Sequence, residues 1–189
     1  MTAAVPRYRR EGGVALIEIS LGSVRQLFTS LDPAPFREKD LDDEAEAYIV
    51  AAARELGHGE PLRLVVHLPE DQAHVAAEMD LAGSVHGYFD YRLWATRRQL
   101  ALLLRNGWIS LAIGLGFLFA CIGVRQVFLA NAAGTVAHIV AEGLLISGWV
   151  AMWHPLQIFL YDWWPLRQTA RVYAELAQVP IEIRPTAAH

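Results

Sequence analysis

Three ionisable side chains, Arg125, His138 and Glu142, stand within or beside long apolar stretches of the chain. A charge inside a hydrocarbon layer is costly unless paired or watered, so such groups are candidates for function by default. Folding the two stretches about the short turn between them sets Arg125 roughly opposite Val140, with Glu142 within one helical turn. Chemistry of two kinds follows. An Arg125–Glu142 pair would pin the two helices together. The same groups in an assembly of several copies would form a polar path for ions or protons. Histidines in such helices can also ligate haem. His138 and His154 are 16 residues apart, about 24 Å along a straight helix, so one copy cannot clamp one haem between them. No cofactor is expected. His58, His67, His74 and His86 lack the spacing of a zinc site, and no catalytic residue or metal ligand is assigned. Serine-hydrolase, Walker and dinucleotide-binding motifs are absent from the sequence, and Gly114-x-Gly116 falls inside an apolar run where it would meet no phosphate.

Outside the apolar stretches, the segment TSLDPAPFREKDLDD holds Asp32, Phe36, Arg37 and Lys39. These residues, Phe36 and Arg37 above all, would suit a recognition surface. The plainer alternative is a structural loop, with Pro33 and Pro35 fixing extended backbone, Phe36 plugging the edge of a core and Asp40 capping the next helix.

The elements that would position these groups follow from periodicity. Val14–Leu21 and Leu62–Leu68 alternate with period two, as half-buried strands do, and VPIEIRP near the end of the chain alternates in step. A lone late strand has only the early pair to join, so a sheet of about three strands is expected. Between the first two strands, Leu41, Ala45, Tyr48, Ala52 and Leu56 recur at helical spacing, joined by Ile49, with acids crowding the first turn and Gly57 as a stop. Strand, long helical crossover and strand make a parallel, right-handed unit. The sheet face turned away from the core would then show Leu16, Glu18, Arg63, Val65, His67, Glu182 and Arg184, a mixed surface suited to a protein partner. From Glu70 the chain is helical, with Gly83 and Gly87 as weak points, and a connecting helix leads to Asn106. A later helix over Leu166–Gln178 returns the chain to the sheet.

The stretch Gly107–Val124 is uncharged and reaches membrane-spanning length when continued to Ala130; Thr135–Trp153 is its counterpart. The four-residue link at Asn131–Gly134 makes them an antiparallel hairpin. Arg92, Arg97, Arg98 and Arg105 precede it, Arg167 and Arg171 follow it, and Arg125 alone lies near its tip. The positive-inside rule therefore places both termini in the cytoplasm. Trp149, Trp153, Tyr161, Trp163 and Trp164 suit the headgroup zone, and Leu156–Trp164 reads as an interfacial segment or a kinked continuation of the span. Pro155 is expected to kink or end that helix, and Pro165 to begin the next. Ala112, Gly116 and Ala120, like Gly143 and Ser147, are spaced by four, which allows close helix approach within the hairpin or between copies.

The composition agrees. Of 189 residues, 54% are hydrophobic and 19% charged, and the apolar excess lies between Trp108 and Trp164. A net charge of −4 offers no basic footprint for nucleic acid. The single cysteine, Cys121, excludes an intrachain disulfide framework and reads as a small buried hydrophobe. No apolar run follows the first residues within signal-peptide range, so the first span is expected to act as its own insertion signal.

The stretches LIEISLGSVRQLFTSLDPAPFREKDLDDEAEAYIV and HPLQIFLYDWWPLR resemble a family of small two-pass bacterial inner-membrane proteins of unassigned function. The resemblance implies a bacterial inner-membrane setting and no particular activity. The expected fold is thus an α+β membrane protein. Residues 1–106 would form a cytoplasmic α/β domain with its connecting helix, 107–164 the hairpin and interfacial segment, and 165–189 a helix and strand that rejoin the domain. The expected role is non-enzymatic, acting through contact with a partner protein or self-assembly, with the bilayer as a further partner. A small oligomeric channel and an accessory subunit of a membrane enzyme complex are the alternatives.

Overall fold

A computed structural model describes residues 8–28, 40–131 and 134–186. Phe36 and Arg37, with the rest of residues 29–39, lie outside them. Four strands form one open sheet in the order β1 (Arg10–Glu11), β2 (Val14–Ser20), β3 (Leu62–Pro69), β4 (Ile181–Thr186). β2, β3 and β4 are parallel, with Ile17 beside Leu64 and Val66 beside Ile183; β1 is antiparallel to β2. The three strands expected from alternation are present, and the late strand completes the sheet. The fourth, β1, turns back at Gly12-Gly13, whose φ angles of +59° and +87° suit the tight turn of a two-residue hairpin.

The helices are α1 (Asp43–Leu56), α2 (Glu70–Glu78), α3 (Leu81–Asn131), α4 (Thr135–Ala151), the single turn α5 (Trp153–Gln157) and α6 (Trp163–Leu176). α1 is capped by Asp42, which accepts from the Glu44 amide at 3.0 Å, and not by Asp40. The break after α2 falls at Asp80, at φ +51°, and not at Gly83 or Gly87. Asp80 accepts from the Gly83 amide and so caps the first turn of α3.

Contacts divide the chain into two units, Met1–Ala95 with Thr169–His189, and Thr96–Gln168. In the first, one face of the sheet is covered by helices. Ala15, Ile17, Leu64, Val66 and Leu68 meet Ile49 and Ala52 of α1, Val85 and Phe89 of α3, and Val172 and Leu176 of α6. Phe89 is fully buried, worth about 2–3 kcal/mol for its side chain alone. Tyr48, expected in this core, is instead half exposed, because the buried stripe of α1 runs through Glu46, Ile49, Val50 and Ala53.

The second unit is made of the inner parts of two helical stretches, Leu81–Asn131 and Thr135–Leu176, that are long and apolar enough to cross a membrane. Only 17% of each apolar window is buried, which distinguishes them from the core helices of a soluble protein. Their packed seam is built of small residues at sevenfold spacing: Gly107, Gly114 and Cys121 on α3, and Ala141, Gly148 and Pro155 along the second stretch. A Cβ on Gly114 would come within 3.0 Å of the Ala151 carbonyl oxygen, and one on Gly148 within 3.3 Å of Leu118 Cα. The expected small-residue ridge is not this seam. Ala112, Gly116, Ala120, Gly143 and Ser147 all face outward, and nothing lies within 4 Å of a Cβ built on Gly116 or Gly143. Past α4 the chain remains helical through Pro155 and a π turn at Ile158–Asp162, so Leu156–Trp164 is a distorted continuation of the helix. The Trp163 indole closes that turn by donating to the Phe159 carbonyl at 2.8 Å.

Candidate functional site

In the sheet-bearing unit a buried acid ties three helices together. Glu46 sits on the inward stripe of α1 and is 8% exposed. Tyr88 of α3 donates to one of its carboxylate oxygens at 2.5 Å, and Tyr173 of α6 to the other at 2.8 Å. Arg92, one turn beyond Tyr88, lies 2.8 Å from the carboxylate and donates to the Tyr173 hydroxyl at 3.0 Å. Its guanidinium also stands over both rings, 5.9 Å from the centroid of Tyr88 and 5.5 Å from that of Tyr173. Burial, and then donation to Glu46, pushes the Tyr88 hydroxyl far above the usual phenol range; burial is also the largest cause of the upward shift at Tyr173. Both phenols therefore stay protonated and serve as fixed donors. A buried carboxylate with two hydroxyl donors and a guanidinium has its lone pairs satisfied, the condition under which a buried charge is tolerated. Removing Glu46 leaves the two buried hydroxyls without their acceptor.

This knot joins α1 to the two helices that run out of the unit, α3 and α6. Two more bonds support it: Arg54 of α1 to Thr169 of α6 at 2.9 Å, and His86 of α3 to the carbonyl of Val179, just past α6, at 2.8 Å. Sequence reasoning missed the knot. Its only signal is that Glu46 sits three residues before Ile49, in step with the apolar stripe, where a solvated acid would not be expected.

The second cluster is the sheet face away from the helices. Its expected members do come together, but as ion pairs with one another. Arg63 meets Glu182 at 2.8 Å, Arg184 meets Glu182 at 2.8 Å and holds both carboxylate oxygens of Glu11, and His67 lies 3.2 Å from Glu18. Arg184 first, then Arg63, pulls the Glu182 carboxyl down to about 2, and Arg184 lowers Glu11 in the same way. Leu16 and Val65, expected on this surface, are buried. The face is a layer of alternating charge over an apolar floor.

Two grooves open on the same unit. One of about 660 Å³ is lined by Pro61, Leu62, Val179, Pro180, Arg171 and Glu175. His58 contacts one oxygen of Glu175 at 3.0 Å while the other oxygen is buried without a partner. A smaller one, about 440 Å³, lies among Glu70, Asp71, His74 and Pro185. Among the described residues no three His, Cys, Asp or Glu side chains gather in a way that could hold a metal ion.

In the hairpin, Arg125 is half-buried and its Nε has no hydrogen-bond partner. Glu142 and His138 are exposed on α4. Among the described residues no ion pair joins Arg125 to Glu142. Cys121 is buried in the seam as a free thiol. Neither a family model, nor a curated protein, nor a solved structure matches this chain.

Proposed function

We propose that this chain is a two-pass integral membrane protein of the bacterial inner membrane, with both termini cytoplasmic, that works through protein contact and not through a reaction of its own. The observation that carries the membrane reading is the outward face of the hairpin. Ile113, Phe119, Val127, Val136, Ile139 and Ile146 are each more than 60% exposed. In water such a surface would be an aggregation site; in lipid it is the ordinary solution. The Tyr, Trp and Arg residues that flank the apolar windows supply interfacial anchors, with Arg167 stacked 5.6 Å from the Trp163 ring centroid.

Contact as the mode of action is supported by the charged sheet face. Its alternating ladder, Glu11–Arg184–Glu182–Arg63, presents a fixed pattern of sign at little cost in exposed, unpaired charge. Reversing Arg63 and Arg184 alone would break these bonds, so the informative variant reverses the whole ladder: Glu11→Arg, Arg63→Glu, Glu182→Arg and Arg184→Glu together. This variant keeps the pairs within the ladder while inverting their field, and gives up only the exposed Arg9–Glu11 pair. The expected result is unchanged thermal unfolding with loss of the proteins that cross-link to the wild-type chain in native membranes. An unchanged set of cross-linked proteins would remove this face as the contact.

A further inference from the structure

We infer that Glu142 and Arg125 pair between two copies of this chain, across a twofold axis along the membrane normal. The inference rests on the membrane-spanning reading. Contacts of Gly107 with Ile158, Gly114 with Ala151, and Gly148 with Leu118 fix the hairpin as antiparallel with a single register. Extending that register sets Arg125 level with buried Ala141, and so at the depth of Glu142. Glu142 lies seven residues into α4 from Thr135, about 10 Å of helix, which leaves it inside the hydrocarbon layer.

Two groups of opposite charge therefore lie at one depth and are not bonded to each other. Arg125 is half-buried and its Nε is buried without a hydrogen-bond partner. Glu142 departs about a quarter-turn from Ala141, onto the flank of α4. An axis along the membrane normal preserves depth and sets α4 of one copy beside α3 of the next. Glu142 of each copy then meets Arg125 of the other, twice by symmetry, as an isologous interface requires. The hydrocarbon at that depth offers neither group a partner, so a second copy of the chain is the occupant that the charges select.

Charge reversal tests this in a way that separates pairing between copies from pairing within one. The full-length chain is reconstituted in phosphatidylcholine vesicles, and association is read by single-molecule photobleaching of labelled copies. Glu142→Arg alone leaves two arginines per chain, and Arg125→Glu alone leaves two glutamates. Each is expected to be monomeric where the wild type is dimeric. Mixed one to one, each variant supplies what the other lacks, and two-colour dimers are expected to return. Glu142→Gln and Arg125→Gln, which leave at most one charge of the pair, should weaken association about tenfold. Wild-type association by either reversed chain alone, no dimers in the mixture, or unchanged association of both neutral variants would overturn the inference. A wild-type chain that resists alkaline extraction yet is monomeric would overturn it and leave the membrane reading intact. A chain that washes out of the vesicles would overturn both.

Discussion

The sheet unit and the hairpin handle the same residue types in opposite ways. In the sheet unit Phe89, Leu64, Ile17 and Leu176 are buried and the charges form a paired outer layer. In the hairpin Ile113, Phe119 and Val136 point outward, and the seam is left to Gly107, Gly114, Cys121, Ala141 and Gly148. One unit hides apolar bulk from water, as burial at about 25 cal/mol per Å² favours. On the membrane reading proposed above, the other has no such incentive inside lipid and packs by close backbone approach through small residues. On that reading the difference teaches that each unit is shaped by its own solvent, and that a substitution harmless in one is costly in the other.

That contrast can be broken at graded cost. The largest effect is expected at the Glu46 knot. Glu46→Ala takes the acceptor from two buried hydroxyls, those of Tyr88 and Tyr173, and should cost about 1–3 kcal/mol for each, read as a lowered unfolding midpoint; Tyr48→Ala on the exposed side of α1 should cost far less. A midpoint unchanged by Glu46→Ala would show that the knot contributes nothing to stability. Next comes Ile113→Lys on the outward face of the hairpin. Facing water it would be neutral, whereas facing lipid it should lose about 2.5–3.5 kcal/mol of insertion free energy, seen as a reduced inserted fraction in a glycosylation-site insertion assay. Within the hairpin, Gly148→Val should cost about 1–3 kcal/mol by overpacking against Leu118. Gly116→Val, with nothing within 4 Å of its Cβ, should leave the stability of one copy unchanged in detergent unfolding. Equal losses at both glycines would contradict the seam.

The smallest effect is a pH dependence. Glu182 is held near 2, below its usual 4.5, first by Arg184 and then by Arg63. On acidification the unfolded chain takes the proton first. The contribution is therefore complete above about pH 4.5 and fades as the pH falls through about 2. Unfolding of the wild type should become easier across that window, and Arg184→Gln should flatten the dependence. Because the pair is exposed, the change should be modest.

Much of this was legible in the sequence because the signals are periodic. Alternation located β2, β3 and β4, and the uncharged runs located the hairpin. β1 escaped because two residues carry no period, although Gly12-Gly13 is a turn signal. The knot escaped because the residues that satisfy Glu46 lie on helices far along the chain, so the acid read as solvated. Alternation put the charged residues of the sheet face on one side, but it also left Leu16 and Val65 at the surface where they are buried, and the mutual pairing of the charges depends on register across the strands, which alternation leaves open. The seam escaped for a related reason. Small residues recur at both fourfold and sevenfold spacing, and only the contacts of Gly107, Gly114 and Gly148 decide which set faces the neighbour.

The central claim is that the hairpin crosses the bilayer and returns. Its most direct test is sided labelling in a Cys121→Ser background, with one new cysteine at Thr135, beside the hairpin turn, or at His58, in the sheet unit. In spheroplasts a membrane-impermeant maleimide should label Thr135→Cys from outside, and should reach His58→Cys only after the membrane is opened. Labelling of both from the same side, or release of the protein by alkaline wash, would contradict it.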